Sequence, residues 1–238
     1  MKNIKLIATD LDGTLTQHRE NIIERNREAI SLLAKKYKFL IVGAGDAERI
    51  YNQINKFDCE IIGNYGMQFG KFNKQNNRFE ILKDEIYPVD KDDITEKVIY
   101  LRNKYDFQEY KGDIVEFHKS GCITIPLIGT KAIQKDKLSF DPTKERRRKI
   151  YSEVVSLFPN YNVFVGGSSS FDMTPKPYNK YYALDLYCKE HGIGHDEVIY
   201  TGDDYGSSGN DESLYKSDFN FIKVDNYLEY PDIMRDFF

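Results

Sequence analysis

Apolar residues in this chain come in two rhythms. Residues 3–9, Asn3 to Thr9, form a short and nearly unbroken apolar run, and Phe39-Leu40-Ile41-Val42 and Cys59-Glu60-Ile61-Ile62 repeat the form. Runs of this length without alternation read as strands buried on both faces. Between them the apolar positions change spacing. Over residues 21–36, Ile22, Ile23, Ala29, Ile30, Leu33 and Ala34 recur as on one helix face, and a second helical stretch carries Ile50, Ile54 and Phe57. Strands alternating with helices of this length predict βαβ units and a parallel sheet.

The pattern then shifts. Met67 to Leu82 reads as a hairpin, with Gly70 and Asn76-Asn77 as turn signals. Residues 90–105 read as a helix. Asp113 to Phe117 and Cys122 to Ile128 read as strands around Lys119-Ser120-Gly121, Lys144 to Leu157 as a basic amphipathic helix, and Tyr161 to Val165 with Ser170 to Met173 as a strand pair around Gly166-Gly167. This is an antiparallel α+β pattern. After Pro175 and Pro177 the first style returns: a helix over 180–191, a strand over 197–201 and a last strand over 219–224. The expected organisation is an α/β core with a parallel sheet in two pieces, 1–82 and 175–238, around an inserted α+β domain over 83–174. A cleft beside such an insert is a usual place for a small-molecule site.

Composition narrows the class. The chain has 238 residues, enough for a core without disulfide staples. Thirty-four basic residues against thirty-eight acidic ones give a net charge of -4, which offers no global attraction to nucleic acid or anionic lipid. No run approaches the apolar length of a membrane span, and the first apolar run is too short for a signal peptide. Cys59, Cys122 and Cys188 lie far apart and form no C-x-x-C pair, which argues against a disulfide framework or a structural zinc site and suits the reducing cytoplasm.

The candidate chemistry sits at strand ends. Asp10-Leu11-Asp12-Gly13-Thr14-Leu15-Thr16 follows the first strand directly, and ligands in open parallel sheets bind at the carboxyl ends of strands. Two carboxylates at i and i+2, with a glycine to turn the chain, can enter one cavity. One can attack a phosphoryl group and the other can move the proton. Gly202-Asp203-Asp204 also follows a strand, with Asn210-Asp211 close behind. Acidic groups from two strands can converge on a hard cation such as Mg²⁺, which takes oxygen ligands. Lys180 opens a helix and can reach a phosphoryl oxygen as a point charge. Gly43-Ala44-Gly45-Asp46 closes the second strand and opens a helix, whose N–H groups are expected to hold phosphate oxygens at Ala44 and Gly45.

At these residues the chain resembles the haloacid dehalogenase (HAD) phosphatase superfamily. Asp10 to Leu15 is similar to its D-x-D-G-T-L signature, Gly202-Asp203-Asp204 with Asn210-Asp211 to its late acidic motif, and the insert to a type IIB α/β cap. Along nearly its whole length the chain also resembles the eukaryotic-type phosphomannomutase family. Asp12 to Arg19 is similar to D-G-T-L-T-x-x-R, Val42 to Asp46 to V-G-G-S-D, Asn179-Lys180-Tyr181 to D-K-R-Y, and Gly202 to Asp211 to G-D-x-x-x-x-G-G-N-D. Phe117, Pro126-Leu127-Ile128-Gly129 and Gly166-Gly167 followed by Ser170-Phe171-Asp172 keep the order of that family's cap.

The resemblance implies that Asp10 is the nucleophile and a Mg²⁺ ligand, and that Asp12 is the acid/base and lends its carbonyl to the metal. It implies that Asp203 is a metal ligand and that Lys180 steadies the phosphoryl group. Arg19 would position an anionic group, Ser170 and Asp172 would meet substrate from the cap, and Asp204, Asn210 and Asp211 would support the site. The departures lie on the cap. Where the mutases place arginines for the phosphate that is not reacting, this chain has His118, Thr130 and the segment Gln134-Lys135-Asp136-Lys137, so Lys135 and Lys137 are the cations left for that role. Gly45 stands where the mutases carry serine. A mutase needs a firm second anion site and a phosphatase does not, so the expected activity is Mg²⁺-dependent hydrolysis of a small phosphomonoester, a sugar phosphate, with hexose-phosphate mutase as runner-up. A non-catalytic sensor of a phosphorylated ligand is the rival from another class. No nucleic-acid or membrane partner is expected, and an apolar cap surface would permit a homodimer.

Overall fold

The computed structural model describes residues 3–238 and divides into two compact units. The first comprises the chain up to Glu85, Tyr178–Ser207 and Asp211–Phe238; the second comprises Ile86–Pro177 with Ser208–Asn210.

In the first unit a seven-stranded sheet is built from β1 (Leu6–Thr9), β2 (Lys38–Val42), β3 (Glu60–Gly63), β4 (Gln68–Asn73), β5 (Arg78–Asp84), β10 (Val198–Gly202) and β11 (Asn220–Lys223). Its order is β11-β10-β1-β2-β3-β4-β5. The first five strands in this order are parallel, while β4 and β5 continue the sheet as an antiparallel hairpin. Period-2 alternation divides the strand residues between two faces. Ile7, Ile41, Ile61 and Ile199 pack with Ala29, Ile30 and Leu33 of α1 (Glu24–Lys36) and Ile50 of α2 (Ala47–Gln53). Leu6, Ala8, Leu40, Val42, Ile62, Val198 and Tyr200 pack with Ala183, Leu184, Tyr187 and Cys188 of α6 (Lys180–His191). The result is a sheet between two helical layers, the architecture that buries both faces of a parallel sheet.

Register fixes the chemistry. β1 pairs with β10 so that Thr9 lies opposite Thr201, and the Asp10 amide donates to the Thr201 carbonyl at 2.9 Å. The acidic residues after the two strands therefore leave the sheet at the same end.

The second unit has an antiparallel sheet of order β6-β7-β9-β8, from β6 (Glu116–Phe117), β7 (Ile123–Pro126), β8 (Tyr161–Phe164) and β9 (Ser170–Pro175). Ile123, Ile125, Val163, Phe171 and Met173 pack with Ile94, Val98 and Leu101 of α3 (Lys91–Lys104) and Ile150 and Val154 of α5 (Glu145–Leu157). Thr124 and Asp172, paired across β7 and β9, alternate with those apolar residues and so lie on the opposite, polar face.

Several elements differ from the sequence expectation. The second helix stops at Gln53 because Asn55 and Lys56 take left-handed φ of 53° and 58°, so Phe57 is outside it. The first helix begins at Glu24 rather than at 21. Of the strand expected over 113–117, only Glu116–Phe117 pairs with a neighbour. The segment containing Lys135 and Lys137 is a short helix, α4 (Gln134–Phe140), none of whose residues is fully buried; Phe140 alone of it packs against the core of the unit, too little to leave a helical periodicity to read. Short helices α7 (Glu212–Tyr215) and α8 (Tyr230–Ile233) complete the fold. No described helix is long and apolar enough to cross a membrane.

Candidate active site

The site lies in the first unit, at the carboxyl ends of β1 and β10. Lys180, the first residue of α6, is fully buried. Its helix begins there because Asn179 caps it, the Asn179 side chain accepting from the Tyr182 amide at 2.8 Å. The Lys180 ammonium lies 2.7 Å from Asp10 Oδ1 and 2.8 Å from Asp211 Oδ1. Asp211 is itself fully buried and well held: the Tyr200 hydroxyl donates to Oδ1 at 2.6 Å and the Asp204 amide to Oδ2 at 3.1 Å. Asp203 is partly buried and accepts from the Thr14 hydroxyl at 3.1 Å. Gly13 belongs to this arrangement for a reason of space. Its φ is +98°, and a Cβ there would stand 2.4 Å from Asp203 Oδ2.

Electrostatics follow from burial. Burial pushes the Asp10 carboxyl well above the usual range; Lys180 pulls it down, but Asp211 and Asp203 add to the rise. Burial and Asp211 raise Asp203 to about 6, against the pull of Lys180. Burial alone would discharge Lys180, yet Asp10 and Asp211 outweigh it and hold its pKa above the ordinary value, so it stays protonated. Asp10, Asp203 and Asp211 each offer an oxygen, all within 4.8 Å of one another. An all-carboxylate donor set whose own charges repel fits a hard divalent cation. Lys180 occupies Asp10 Oδ1, and donors reach both oxygens of Asp211, so Asp10 Oδ2 and the Asp203 carboxylate are the oxygens best placed to bind it.

Asp12 stands in a different setting. Its carboxylate accepts from the Arg19 amide at 2.7 Å, from Gln53 Nε2 at 2.7 Å and from Arg49 Nη2 at 3.1 Å. Burial pushes its pKa up, but the Arg19 amide, the Arg49 charge and Gln53 together bring it below the ordinary value. The loop that carries it is closed by the Gly13 amide donating to the Thr16 carbonyl at 2.8 Å.

Asp10, Lys180 and Asp203 therefore converge, and Asp211, expected as a supporting residue, stands at the centre of the cluster. Asp204 contributes its backbone amide. Arg19 meets Asp12 through its backbone while its residue is exposed. The helix amides expected to bind phosphate are already engaged: Ala47 N donates to Gln68 Oε1, and Glu48 N and Arg49 N donate to the capping Asp46 carboxylate. Ala44 and Gly45, the positions expected to meet phosphate, precede that helix and its Asp46 cap. Asn210 precedes Asp211 in the short segment grouped with the second unit. Within the second unit, Ser170 Oγ donates to the Gly166 carbonyl at 3.2 Å, and Asp172 Oδ1 accepts from Thr124 Oγ1 at 2.9 Å, which in turn meets His118 Nε2 at 3.1 Å. Thr130 Oγ1 accepts from the Asp113 amide at 2.9 Å and donates to the Asp113 carboxylate at 3.3 Å. Arg49, Gln53 and Tyr200 were missed by sequence reasoning; the i, i+4 spacing of Arg49 and Gln53 beside the apolar Ile50 and Ile54 was the one available signal.

The chain is similar to known proteins in sequence and in fold. Phosphomannomutase of Saccharomyces cerevisiae is 26% identical over 222 residues, covering 88% of this chain and 84% of that protein. Phosphomannomutase of Encephalitozoon cuniculi is 26% identical over 230 residues, covering 91% and 87%. Among solved structures, N-terminally truncated, IMP-bound IMP-nucleotidase of Plasmodium falciparum is similar in fold, with a TM-score of 0.69 at 19% identity over 99% of this chain and 68% of that one. A haloacid dehalogenase-like hydrolase from Bacteroides thetaiotaomicron gives a TM-score of 0.57 at 16% identity over 99% and 100%. A family model for haloacid dehalogenase-like hydrolases matches residues 7–214, a span that holds both acidic loops and the lysine between them, and the chain belongs to that family.

Proposed function

We propose that the protein is a Mg²⁺-dependent phosphohydrolase of the cytosol that cleaves a small phosphomonoester, a sugar phosphate, through an aspartyl-phosphate. The observation that carries this reading is the fully buried Lys180 bridging Asp10 and Asp211, with Asp203 beside them. A buried cation at the nucleophile neutralises charge that gathers on phosphoryl oxygens, and such preorganised stabilisation is usually the largest catalytic term. Asp10 attacks phosphorus while Asp12 gives a proton to the leaving oxygen. Asp12 then takes a proton from the water that cleaves the acyl phosphate, which returns Asp10 and releases inorganic phosphate. Mg²⁺, held by Asp10 and Asp203 with the Asp12 carbonyl, would supply further charge neutralisation at the phosphoryl oxygens.

The second unit is read as a type IIB cap whose Ser170 and Asp172 meet the substrate. The phosphomannomutase relatives favour a mutase, in which a sugar hydroxyl takes the place of water. Against it stand His118 and Thr130, each tied into hydrogen bonds with its own neighbours in place of a guanidinium fork. The test is a phosphomonoester panel with Mg²⁺ or with chelator, run beside a hexose-phosphate mutase assay containing a sugar bisphosphate. Phosphate release in step with substrate loss, without need of the bisphosphate, is expected. Faster interconversion of hexose phosphates than phosphate release would overturn hydrolysis in favour of transfer, and complete inactivity would favour a sensor.

A further inference from the structure

Three side chains of the first unit, those of Asp12, Arg49 and Gln53, close a hydrogen-bonded ring. Arg49 Nη2 donates to Asp12 Oδ2 at 3.1 Å and Arg49 Nη1 to Gln53 Oε1 at 2.6 Å. Gln53 Nε2 donates to Asp12 Oδ1 at 2.7 Å and also to Thr16 Oγ1 at 2.9 Å. Arg49 and Gln53 are one turn apart on α2, so a single helix face carries both donors. Gln53 is buried, whereas the Arg49 side chain is 39% exposed. A pair this exposed adds little to stability, so the ring is better understood by what it orients than by what it holds together.

The guanidinium, on its way to Asp12, passes over residue 45, where a side chain would force it to move. A Cβ on Gly45 would stand 2.0 Å from Arg49 Nη2 and 2.6 Å from Cζ. Gly45 is not in the left-handed region, so its backbone does not itself demand glycine. What the position demands is room for Arg49.

We infer that Arg49 is a positioning residue for Asp12, and that Gly45 and Arg49 act as one unit: the missing side chain at 45 admits the guanidinium that, with Gln53, aims the acid/base carboxylate. This rests on the phosphohydrolase reading of the site. Loss of Arg49 leaves Asp12 with Gln53 and the Arg19 amide on Oδ1 and no partner among these on Oδ2, so the carboxylate turns about its own bonds and proton delivery to the leaving oxygen falters.

The consequence is selective. An alkoxide leaving group needs the proton, and a 4-nitrophenolate scarcely does. Arg49→Met should lower kcat/KM for a hexose 6-phosphate by about 30-fold, with less than about threefold loss on 4-nitrophenyl phosphate. Gly45→Ala should lower turnover of the hexose 6-phosphate with residue 49 still arginine, and should add nothing to that loss when combined with Arg49→Met. Arg49→Lys, which keeps a cation but cannot fork between Asp12 and Gln53, should restore part of the alkyl activity. Equal losses on both substrates in Arg49→Met, or full alkyl activity in Gly45→Ala, would overturn the inference. A wild-type protein that cleaves neither substrate would overturn the phosphohydrolase reading instead. Crystal structures of Arg49→Met and Gly45→Ala then decide the positioning role by themselves: a displaced Asp12 carboxylate upholds it, and an Asp12 unmoved in both overturns it.

Discussion

Lys180 is the residue whose loss should be read most clearly. It is fully buried, and its ammonium lies between Asp10 at 2.7 Å and Asp211 at 2.8 Å. Lys180→Met keeps most of the side-chain volume and removes the charge, leaving two buried carboxylates facing one another. Breaking a buried ion pair by deleting one partner costs about 3–5 kcal/mol. For a chain of this size each kcal/mol moves the melting temperature by about 2–4 °C, so a fall of about 6–20 °C is expected at pH 7.5 without metal. Asp10 already has a raised carboxyl from burial and the neighbouring carboxylates, and removing Lys180 takes away the group that lowers it. A raised carboxyl contributes stability that is present below its ordinary range and lost as pH rises through the folded value. The deficit of Lys180→Met should therefore shrink at pH 5.5, where a proton takes the place of the ammonium. Adding Asp211→Asn should recover much of the stability at pH 7.5 and none of the activity. Differential scanning calorimetry of the three proteins at both pH values measures this. A single mutant that melts within 2 °C of wild type at pH 7.5 (about 1 kcal/mol or less), or a double mutant no more stable than the single, would refute the reasoning.

Asp10→Asn should cut phosphate release at least about a thousandfold, because a neutral amide is a poor nucleophile. Its melting temperature without metal should not fall, since it removes one of three crowded carboxylates; steady-state assays and a melt check both. Mg²⁺ should raise the melting temperature more at pH 7.5 than at pH 5.5. Asp203 holds a proton up to about 6, so its stabilising share is lost as pH rises through that value, and the cation replaces the proton there. Asp203→Asn should abolish most of that shift. In the second unit Arg147 is fully buried, pairs with Asp141 at 2.9 Å and donates to the Gly166 carbonyl at 2.6 Å and the Ser170 carbonyl at 2.9 Å. Arg147→Met should destabilise that unit by about 3–5 kcal/mol, with Arg147→Lys intermediate, as read by urea unfolding or amide hydrogen exchange over α5 and β9.

The fold was legible where local pattern and burial coincide. β1, β2, β3 and β10 are buried on both faces and have little but apolar residues to show, and the loops that follow them carry Asp10 and Asp203. What was not legible depends on the third dimension. Asp211 read as a supporting residue because its spacing says nothing of the Tyr200 hydroxyl reaching it from inside the sheet. Arg147 belonged to a run of basic residues on an amphipathic helix, and nothing in that run marks the one that turns inward to Asp141 and three carbonyls over 166–170. The Gly-Ala-Gly turn pointed to helix amides for phosphate, and the sequence does not reveal that Asp46 and Gln68 already use them.

Two carboxylates two residues apart end in opposite environments, and the proposed function gives them different roles. Asp10 is drawn in beside Asp203 and Asp211, where burial and like charge raise its pKa and make a cation necessary for it to ionise fully. Asp12 is turned toward α2, where an amide, a glutamine and a guanidinium hold its charge and bring its pKa down. A nucleophile has to be ionised at the moment of attack, so its site supplies Lys180 and room for a metal. On the proposed reading Asp12 changes state within each turnover; its partners are neutral donors and one half-exposed arginine rather than a second buried cation. The two environments push the proton affinities of these carboxyls apart, Asp10 up and Asp12 down. Here Gly13 makes the division: its positive φ turns the chain after Asp12, and the space above it belongs to Asp203.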